Sequence, residues 1–337
     1  MSVRLLLFIN VNSGGGLGQT LADHLVSDST IKIIRLPKEF NEFKKLNKSI
    51  LYNKNLKVAI AGGDGSANWI VPELAKFYGY NSTSFRPPVA IIPLGTGNDL
   101  SRTLNWGSSF NMIDFLDLGE RIKAIKNGEI VKNIDLWNVN VNETGNIVKD
   151  YPMINYFSLG VDANIANDFA ETRMNYPMLF FSQVFSKLMY VPLTLFSLFG
   201  QPFLHQFLSG SMIMKNNKLK KLRFRDESKT FVVQNIPYIY GGADLVKDKK
   251  HRFVDDGNFE VITQGGALSL GASHIGINLG KQLGQAHQLN LHSNKEMCYQ
   301  VDGEAFKTKG PTSFKVERLR NYPFLYAPEH TGPFFGL

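Results

Sequence analysis

The sequence predicts two folds in one chain: an α/β fold with a doubly wound parallel sheet, followed by a β fold with an antiparallel β-sandwich. Three observations predict this class. Apolar strand segments alternate with helical segments over the first third of the chain, which is typical of a parallel sheet. From about residue 132, short strand segments are separated by long insertions, a pattern typical of antiparallel sheets. The aromatic segment 322–337 indicates that the chain returns to the first domain.

We therefore divide the chain into an α/β domain of residues 1–133 plus 313–337 and a β-rich domain of residues 134–312. In the first domain we predict strands at 4–10, 31–36, 57–63 and 89–95, and helices at 19–26, 38–51, from 67 onward and at 99–104. In the second domain we predict strands at 133–141, 153–161, 229–236, 258–263 and 287–293.

Composition narrows the class of protein. The chain has 337 residues, of which 43% are hydrophobic and 20% charged, so it is a folded globular protein rather than a disordered one. The single cysteine, Cys298, excludes an intrachain disulfide, and the first ten residues lack the features of a signal peptide. We therefore expect a cytoplasmic protein. A formal net charge of +8 indicates an anionic partner, for which nucleic acid, a membrane surface and a polyphosphate all remain open.

Three glycine-rich segments, "NVNSGGGLG", "GGDGS" and "PLGTGND", each follow a predicted parallel strand. Ligands of such sheets bind outside the carboxyl ends of the strands, so we expect these segments to share one ligand-binding edge. Taken alone, Gly62 to Ser66 is either a tight turn or a loop whose bare backbone lets a ligand approach.

Glycine loops that lead into helices offer backbone N–H groups to phosphate. The chain lacks the P-loop pattern, the protein-kinase motifs and a dinucleotide fingerprint after its first strand. Carboxylates repel phosphate unless Mg²⁺ intervenes, so Asp64 and Asp99 beside these loops favour a metal–nucleotide complex. Asp99 is equally well interpreted as the N-cap of the next helix.

Six segments in chain order resemble the catalytic module of the diacylglycerol kinase family in its eukaryotic version. They are "GGDGSANWI", "PPVAIIPLGTGNDLSRTLNWG", "NYFSLGVDANIANDF", "VVQNIPYIYGGADL", "DDGNFEV" and "VDGE". The resemblance implies MgATP-dependent phosphorylation of diacylglycerol to phosphatidic acid, in a cleft between the two domains. Related kinases of sphingosine, ceramide or other lipid alcohols, and a catalytically silent lipid-binding relative, are the alternatives.

The resemblance also implies which residues bind the nucleotide. Where the family usually has proline after the first asparagine, this chain has Val11, which leaves the first loop less rigid. The implied nucleotide-binding residues are Asn10, Asn12, Gly14, Gly62, Gly63, Gly65, Ser66, Thr96, Gly97, Asn98 and Asp99.

"VDGE" places two carboxylates, Asp302 and Glu304, one residue apart, so both point to the same side if the segment is extended. A phosphoryl acceptor needs a carboxylate within hydrogen-bond reach, and a second carboxylate helps to place Mg²⁺. The resemblance makes Asp302 the general base, with Asp64 and Glu304 holding the catalytic Mg²⁺ directly or through water. Sphingosine-kinase relatives place the base at Asp64 instead, and without the other motifs "VDGE" is an exposed Asp-Gly hairpin turn.

Two further carboxylates have implied roles. Bacterial relatives bind a structural Mg²⁺ at "RFVDDGNFEV", which would place Asp256 on the metal with the carbonyls of Phe253 and Asn258; a plain Asp-Gly turn is the alternative. Asp162 lies where family members contact the lipid headgroup, or it caps the following helix.

A lipid kinase must reach a bilayer. The apolar segment 178–199 is interrupted by polar residues, so it predicts an interfacial or buried helical hairpin rather than a membrane span. The basic segment 215–225 carries six Lys or Arg residues and is either an anionic-membrane contact or a solvated face. No nucleic-acid-binding module accompanies the charge, so we expect no nucleic-acid partner, and the sequence indicates no oligomeric state.

Overall fold

A computed structural model describes residues 2–79, 85–143, 147–175, 202–246, 249–266, 269, 272 and 279–328. The chain forms two compact units: unit 1 comprises residues 1–134 and 321–337, and unit 2 comprises residues 135–320. The α/β plus β class predicted from the sequence is confirmed: the strands of unit 1 are parallel and those of unit 2 antiparallel.

Unit 1 is built on a parallel sheet in which β4 lies beside β3, β3 beside β1 and β1 beside β2. Its strands are nearly continuous apolar runs and are buried along their length, as expected for a parallel sheet. The elements of unit 1 are β1 (Leu5–Asn10), α1 (Leu17–Leu25), β2 (Ile31–Leu36), α2 (Lys48–Leu51), β3 (Lys57–Gly62), α3 (Asp64–Phe77), β4 (Val89–Pro93), α4 (Asp99–Thr103) and α5 (Leu118–Asn127).

Unit 2 is an antiparallel assembly around a core that includes Trp137, Phe157, Tyr299 and Phe314. Two strands, β5 (Val131–Glu143) and β15 (Thr312–Leu325), span the boundaries between the units in sequence. The other elements are β6 (Ile147–Met153), β7 (Tyr156–Gly160), α6 (Val161–Asn175), β8 (Leu208–Met214), β9 (Leu219–Lys221), β10 (Thr230–Gln234), β11 (Phe259–Gln264), β12 (Lys281–Ser293), β13 (Cys298–Val301) and β14 (Glu304–Lys307).

Two predicted elements of unit 1 differ from the structure. The helix predicted at 38–51 is a 3-10 helix, Phe40–Lys45, followed by the short α2, because the side chain of Asn47 accepts the Ser49 N–H and starts a new helix. The helix predicted from Ala67 begins three residues earlier, at Asp64, with Gly63 as its N-cap. Asp64, Gly65 and Ser66 are therefore the first turn of α3 rather than part of a loop.

Candidate active site

The three glycine-rich segments lie after three strands that are adjacent in the sheet of unit 1. β1, β3 and β4 are parallel neighbours, so their carboxyl ends meet at one edge. Asn10 ends β1, Gly62 ends β3 and Pro93 ends β4. The predicted shared edge is thus present in the structure, where ligands of parallel sheets bind.

Glycine is required where the second and third segments pack against each other. A Cβ on Gly95 would collide with the backbone of Gly63, and a Cβ on Gly63 would lie 3.0 Å from the Cα of Gly95. A Cβ on Gly62 would lie 2.5 Å from the Ser66 hydroxyl oxygen. A side chain at Gly63 or Gly95 would therefore push the two segments apart, and one at Gly62 would displace Ser66 within the second segment.

The carboxylate of Asp64 joins the second segment to the third. Its Oδ2 accepts the backbone N–H of Asp99 at 2.8 Å, and its Oδ1 accepts that of Leu100 at 3.2 Å. These are N–H groups of the first turn of α4, which have no acceptor within the helix itself. The sequence left open that Asp99 is the N-cap of this helix. In the structure Asn98 occupies the N-cap position and Asp99 is the first residue of α4. Asp99 is 3% exposed.

Asn98 fixes the fold of the third segment. It has a left-handed backbone with φ of 55° and is 1% exposed. Its side-chain oxygen accepts the Gly95 N–H at 3.2 Å, and its amide donates to the carbonyls of Gly95 and Ser108 at 2.7 and 2.8 Å. The buried Asn98 thus orders this segment from within, whereas Thr96 is exposed.

The first segment contacts the second through Asn10. Its amide donates to the Ser66 hydroxyl at 3.4 Å, and its side-chain oxygen accepts the Asn12 N–H at 3.2 Å. Gly14 has a positive φ of 66°, and a Cβ there would lie 3.2 Å from the Leu94 carbonyl oxygen. The structure therefore brings together residues of all three predicted nucleotide-binding segments.

Two glycines of this edge face open space. An ideal Cβ on Gly65 would have no heavy atom within 4 Å, and one on Gly97 would meet only the Asp64 carboxylate, at 3.6 Å. Gly65 is helical and its φ is not positive, so its backbone conformation does not require glycine. The first turn of α3 therefore presents bare backbone at a helix N-terminus, where anions bind.

Unit 2 holds Asp302 in the turn between β13 and β14. Asp302 and Gly303 have φ of 51° and 87°, as in a two-residue hairpin turn whose flanking residues, Val301 and Glu304, pair. Asp302 and Glu304 were expected to point to the same side if this segment were extended. The segment is not extended, because Asp302 and Gly303 turn the chain. The hairpin is present, yet Asp302 is only 7% exposed.

The Asp302 carboxylate accepts three backbone N–H groups, from the two residues before β7 and from the first residue of β7. Oδ2 accepts that of Ile154 at 2.7 Å, and Oδ1 accepts those of Asn155 and Tyr156, both at 2.8 Å. Burial raises the pKa of Asp302 to about 7 despite these donors, and the charge of Glu304 adds to the rise. A carboxylate with a pKa near neutrality has the acidity expected of a general base. Glu304 is exposed at the start of β14.

Asp162 lies in the first turn of α6 and is 5% exposed. Its Oδ2 accepts the Tyr240 hydroxyl at 2.5 Å and the Gln300 amide at 2.8 Å. Burial raises the pKa of Asp162. Neither the Tyr240 nor the Gln300 contact was anticipated from the sequence. Tyr240 lies in the segment "VVQNIPYIYGGADL" and Gln300 directly precedes "VDGE", but nothing in either segment indicates a contact with Asp162.

The carboxylate of Asp256, in the turn expected to bind a structural Mg²⁺, contacts other residues of the protein through both of its oxygens. Asp256 Oδ2 pairs with Lys215 Nζ at 2.8 Å, and Oδ1 accepts the Asn258 N–H at 3.0 Å. Phe253 is an exposed side chain next to this turn. Both carboxylate oxygens are thus engaged, and the residues present do not fit a Mg²⁺ ion unless Lys215 is displaced. Among the described residues, no group of three His, Cys, Asp or Glu side chains is arranged to hold a metal.

Of the two segments expected to contact the membrane, the structure describes the basic segment 215–225 but not the apolar segment 178–199. Residues 178–199 lie outside the described part of the chain. In the ranges that are described, no helix has both the length and the apolar character needed to cross a bilayer. The basic segment forms the turn after β8, strand β9 and the residues that follow it, with Lys218, Lys221 and Arg223 exposed.

Comparison with known proteins identifies similar domains. Residues 4–136 match the family model described as diacylglycerol kinase catalytic domain, and residues 152–305 match the diacylglycerol kinase accessory domain. Diacylglycerol kinase 2 of Arabidopsis thaliana is 29% identical over 317 residues, which are 90% of this chain and 43% of that protein. Diacylglycerol kinase iota of Homo sapiens is 30% identical over 346 residues, covering 94% of this chain and 30% of that protein.

This chain therefore spans less than half the length of these two curated relatives. Among solved structures, that of a diacylglycerol kinase from Bacillus anthracis str. Sterne matches with a TM-score of 0.57 and 17% identity, covering 96% of this chain and 97% of the other. At 17% identity, this similarity shows a shared fold.

Proposed function

This chain belongs to the diacylglycerol kinase family, and we propose that it transfers the γ-phosphoryl group of ATP to the free hydroxyl of diacylglycerol, forming phosphatidic acid and ADP. The observation that carries the proposal is the bond from Asp64 to the N-terminus of α4, which joins two glycine-rich segments at the edge of the unit 1 sheet. Open space over Gly65 and Gly97 at this edge leaves room for phosphate groups.

In the proposed reaction, unit 1 binds the nucleotide and unit 2 provides the base. Asp302 accepts the proton of the lipid hydroxyl while the hydroxyl oxygen bonds to the γ-phosphorus and the bond to the leaving ADP oxygen breaks. The pKa of Asp302, raised to about 7 by burial, supports this role. Asp64 is assigned to hold the start of α4 in place, because its two oxygens accept the backbone N–H groups of Asp99 and Leu100.

Glu304 would hold the Mg²⁺ that accompanies ATP, and Asp64 would do so only through water, because both Asp64 oxygens accept backbone N–H groups. The bound ion would supply neutralisation of charge on the phosphate oxygens. Magnesium bound to a nucleotide needs only one or two protein carboxylates, since phosphate and water provide the remaining ligands. The exposed Glu304 carboxylate suits such a role.

We further propose that the protein is cytoplasmic and docks peripherally on anionic membranes through the β8–β9 hairpin. Lys218, Lys221 and Arg223 are exposed there, and each basic residue near an anionic leaflet contributes about 1 kcal/mol. Lys215 and Lys220 make contacts within the protein, to Asp256 and to the Leu283 carbonyl.

The test is transfer of labelled γ-phosphate from ATP to a panel of lipids in mixed micelles: diacylglycerol, monoacylglycerol, sphingosine and ceramide. We expect labelled phosphatidic acid as the main product. Preferential labelling of sphingosine or ceramide would assign another lipid-alcohol kinase, and no labelled lipid from any acceptor would identify a silent relative.

A further inference from the structure

Four buried or half-buried polar side chains of unit 2 form a continuous array, which we name the Tyr240 array: Tyr240, Asp162, Gln300 and Tyr156. The Tyr240 hydroxyl and the Gln300 amide both donate to Asp162 Oδ2, at 2.5 and 2.8 Å. The Tyr156 hydroxyl donates to the Gln300 side-chain oxygen at 3.2 Å, and the rings of Tyr156 and Tyr240 meet edge to face at 5.1 Å. The array joins the start of α6 to β13 and β7.

Tyr156 connects this array to Asp302. Its backbone N–H donates to Asp302 Oδ1 at 2.8 Å, and its carbonyl accepts the Asp302 N–H at 2.9 Å. Gln300 precedes Asp302 by two residues on the same hairpin, and a Cβ on Gly303 would lie 4.0 Å from the Tyr156 hydroxyl. The side chain of Tyr156 is thus held by the array, while its backbone holds Asp302 in both directions.

Both ends of this connection have a backbone conformation that side chains rarely adopt. Tyr240 has φ of 55° and Asp302 has φ of 51°. A bulky residue in the left-handed region is an outlier that persists only where surrounding contacts enforce it, and such residues cluster at functional sites. At Tyr240, the hydroxyl contact with Asp162 and the ring contact with Tyr156 hold the side chain of a residue in this conformation.

The same contacts make Asp162 a poor ligand for a lipid headgroup. Its side chain is 5% exposed, and Oδ1 has less than 1 Å² of accessible surface. A lipid hydroxyl that bound Oδ2 would have to displace the Tyr240 hydroxyl or the Gln300 amide, leaving a buried donor unsatisfied.

We propose that Asp162, Tyr240 and Gln300 are positioning residues that hold Asp302 in place through Tyr156, and that Asp162 does not contact the lipid. The inference rests on the proposed role of Asp302 as base. A positioning array acts on the rate of the chemical step, whereas a headgroup contact acts on lipid affinity, so kcat and KM separate the two roles.

The first test measures kcat and KM for a short-chain diacylglycerol in Asp162→Asn, Asp162→Leu and Tyr240→Phe. The Asn carbonyl oxygen still accepts from Tyr240 and Gln300, so Asp162→Asn should keep kcat within roughly five-fold of wild type, whereas Asp162→Leu and Tyr240→Phe should lose about 10- to 100-fold. Lipid KM should stay within roughly two-fold in all three variants. Tyr238→Phe, two residues from Tyr240, is the matched control with unchanged kinetics.

A raised lipid KM with unchanged kcat in Asp162→Asn or Asp162→Leu would make Asp162 a headgroup contact and overturn the proposal. Wild-type kcat in Tyr240→Phe would overturn it as well. Wild-type protein that phosphorylates no diacylglycerol would instead refute the proposed function, and a second measurement keeps the two failures apart.

That second measurement is hydrogen exchange at the backbone amides of residues 154–156, the three donors to Asp302, which needs no activity. Tyr240→Phe and Asp162→Leu should exchange at least about ten-fold faster there than wild type, whereas Tyr238→Phe should not. Equal protection in all variants would show that the array does not hold this segment.

Discussion

The Asp64 carboxylate of α3 accepts the backbone N–H of Asp99 in α4 at 2.8 Å, so one side chain ties the start of one helix to the start of another. The Leu100 N–H completes the contact with the second oxygen. Because the two helices follow neighbouring parallel strands in the chain, this contact sets the spacing of the two glycine-rich segments. The nucleotide site of the proposed kinase depends on that spacing.

Asp64→Asn should weaken ATP binding by at least about ten-fold. The Asn side chain has one oxygen and one NH₂ group, so one of the two backbone N–H groups of α4 loses its acceptor and faces a second N–H donor. The lost contact should also lower the free energy of unfolding by about 1–3 kcal/mol. ATP titration by calorimetry and urea unfolding give the two values. Asp23→Asn, at an exposed carboxylate of α1, is the control. Unchanged ATP affinity in a folded Asp64→Asn protein would separate Asp64 from the nucleotide site.

Asp302→Asn should lower kcat by about 10²- to 10⁴-fold while leaving the ATP Kd within roughly three-fold, because a general base acts in the transition state. Stopped assays for kcat and calorimetry for ATP are measured on the same preparation, with thermal unfolding to confirm that the turn at 302–303 has not collapsed. A kcat close to wild type would move the base to another residue, with Asp64 the first candidate. Lost ATP binding would make Asp302 a nucleotide or metal ligand.

Gly65→Val should abolish ATP binding without unfolding the protein, because the added side chain enters space that no protein atom occupies. Gly119→Val is the matched control: Gly119 is also the second residue of a helix, α5, and its Cβ would likewise meet nothing within 4 Å. Both variants should show the same small loss of stability. If Gly65→Val binds ATP as tightly as Gly119→Val does, the first turn of α3 is not a phosphate site.

Neutralising Lys218, Lys221 and Arg223 to Gln should weaken binding to vesicles that contain anionic lipid, by up to about 3 kcal/mol at low salt. The loss should shrink as salt is raised from 0.01 to 0.15 M, because the Debye length falls from about 30 to about 8 Å. Vesicle sedimentation measures the partition, and Lys215→Gln, whose ammonium already pairs with Asp256, is the comparison. Equal binding of wild type and the triple variant at low salt would exclude this hairpin as the docking surface.

Lys126→Met should destabilise the protein more at pH 6 than at pH 2.5. Hydrogen bonds from Lys126 and Thr30 lower the pKa of Asp28 from 3.8 to about 2. A lowered carboxyl pKa gives stability that is present above pH 4 and is lost as the pH falls towards 2. Asp28 is 37% exposed, so screening limits the gain to about 1 kcal/mol. Urea unfolding at pH 6 and pH 2.5 should show the difference closing, and a constant difference would contradict this linkage.

Strands β1, β3 and β4 were predictable because each is a nearly continuous apolar run, and three glycine-rich segments after these runs could be assigned to one edge. What Asp64 and Asn98 do there could not be predicted, since both side chains bond to backbone of segments whose packing depends on strand order. The start of α3 was missed because Gly63 serves as its N-cap, so a glycine-rich sequence that resembles a loop already contains a helical turn.

In unit 2, the Asp-Gly dipeptide at 302–303 indicated a hairpin turn, and the structure contains one. The contacts of Asp302 depend on residues 154–156 at the start of β7, which supply three N–H donors from about 150 positions earlier in the chain. Such long-range contacts leave no periodic pattern in the sequence. The partners of Asp162 were missed for the same reason, because Tyr240 and Gln300 reach it from separate parts of the chain.

The most direct test of the proposed activity measures ADP and phosphatidic acid together, in one reaction of the purified chain with ATP, Mg²⁺ and diacylglycerol vesicles. We expect wild-type protein to form ADP and phosphatidic acid in equal amounts, and Asp302→Asn to form neither above background. ADP released without phosphorylated lipid, or equal transfer by wild type and Asp302→Asn, would contradict this expectation.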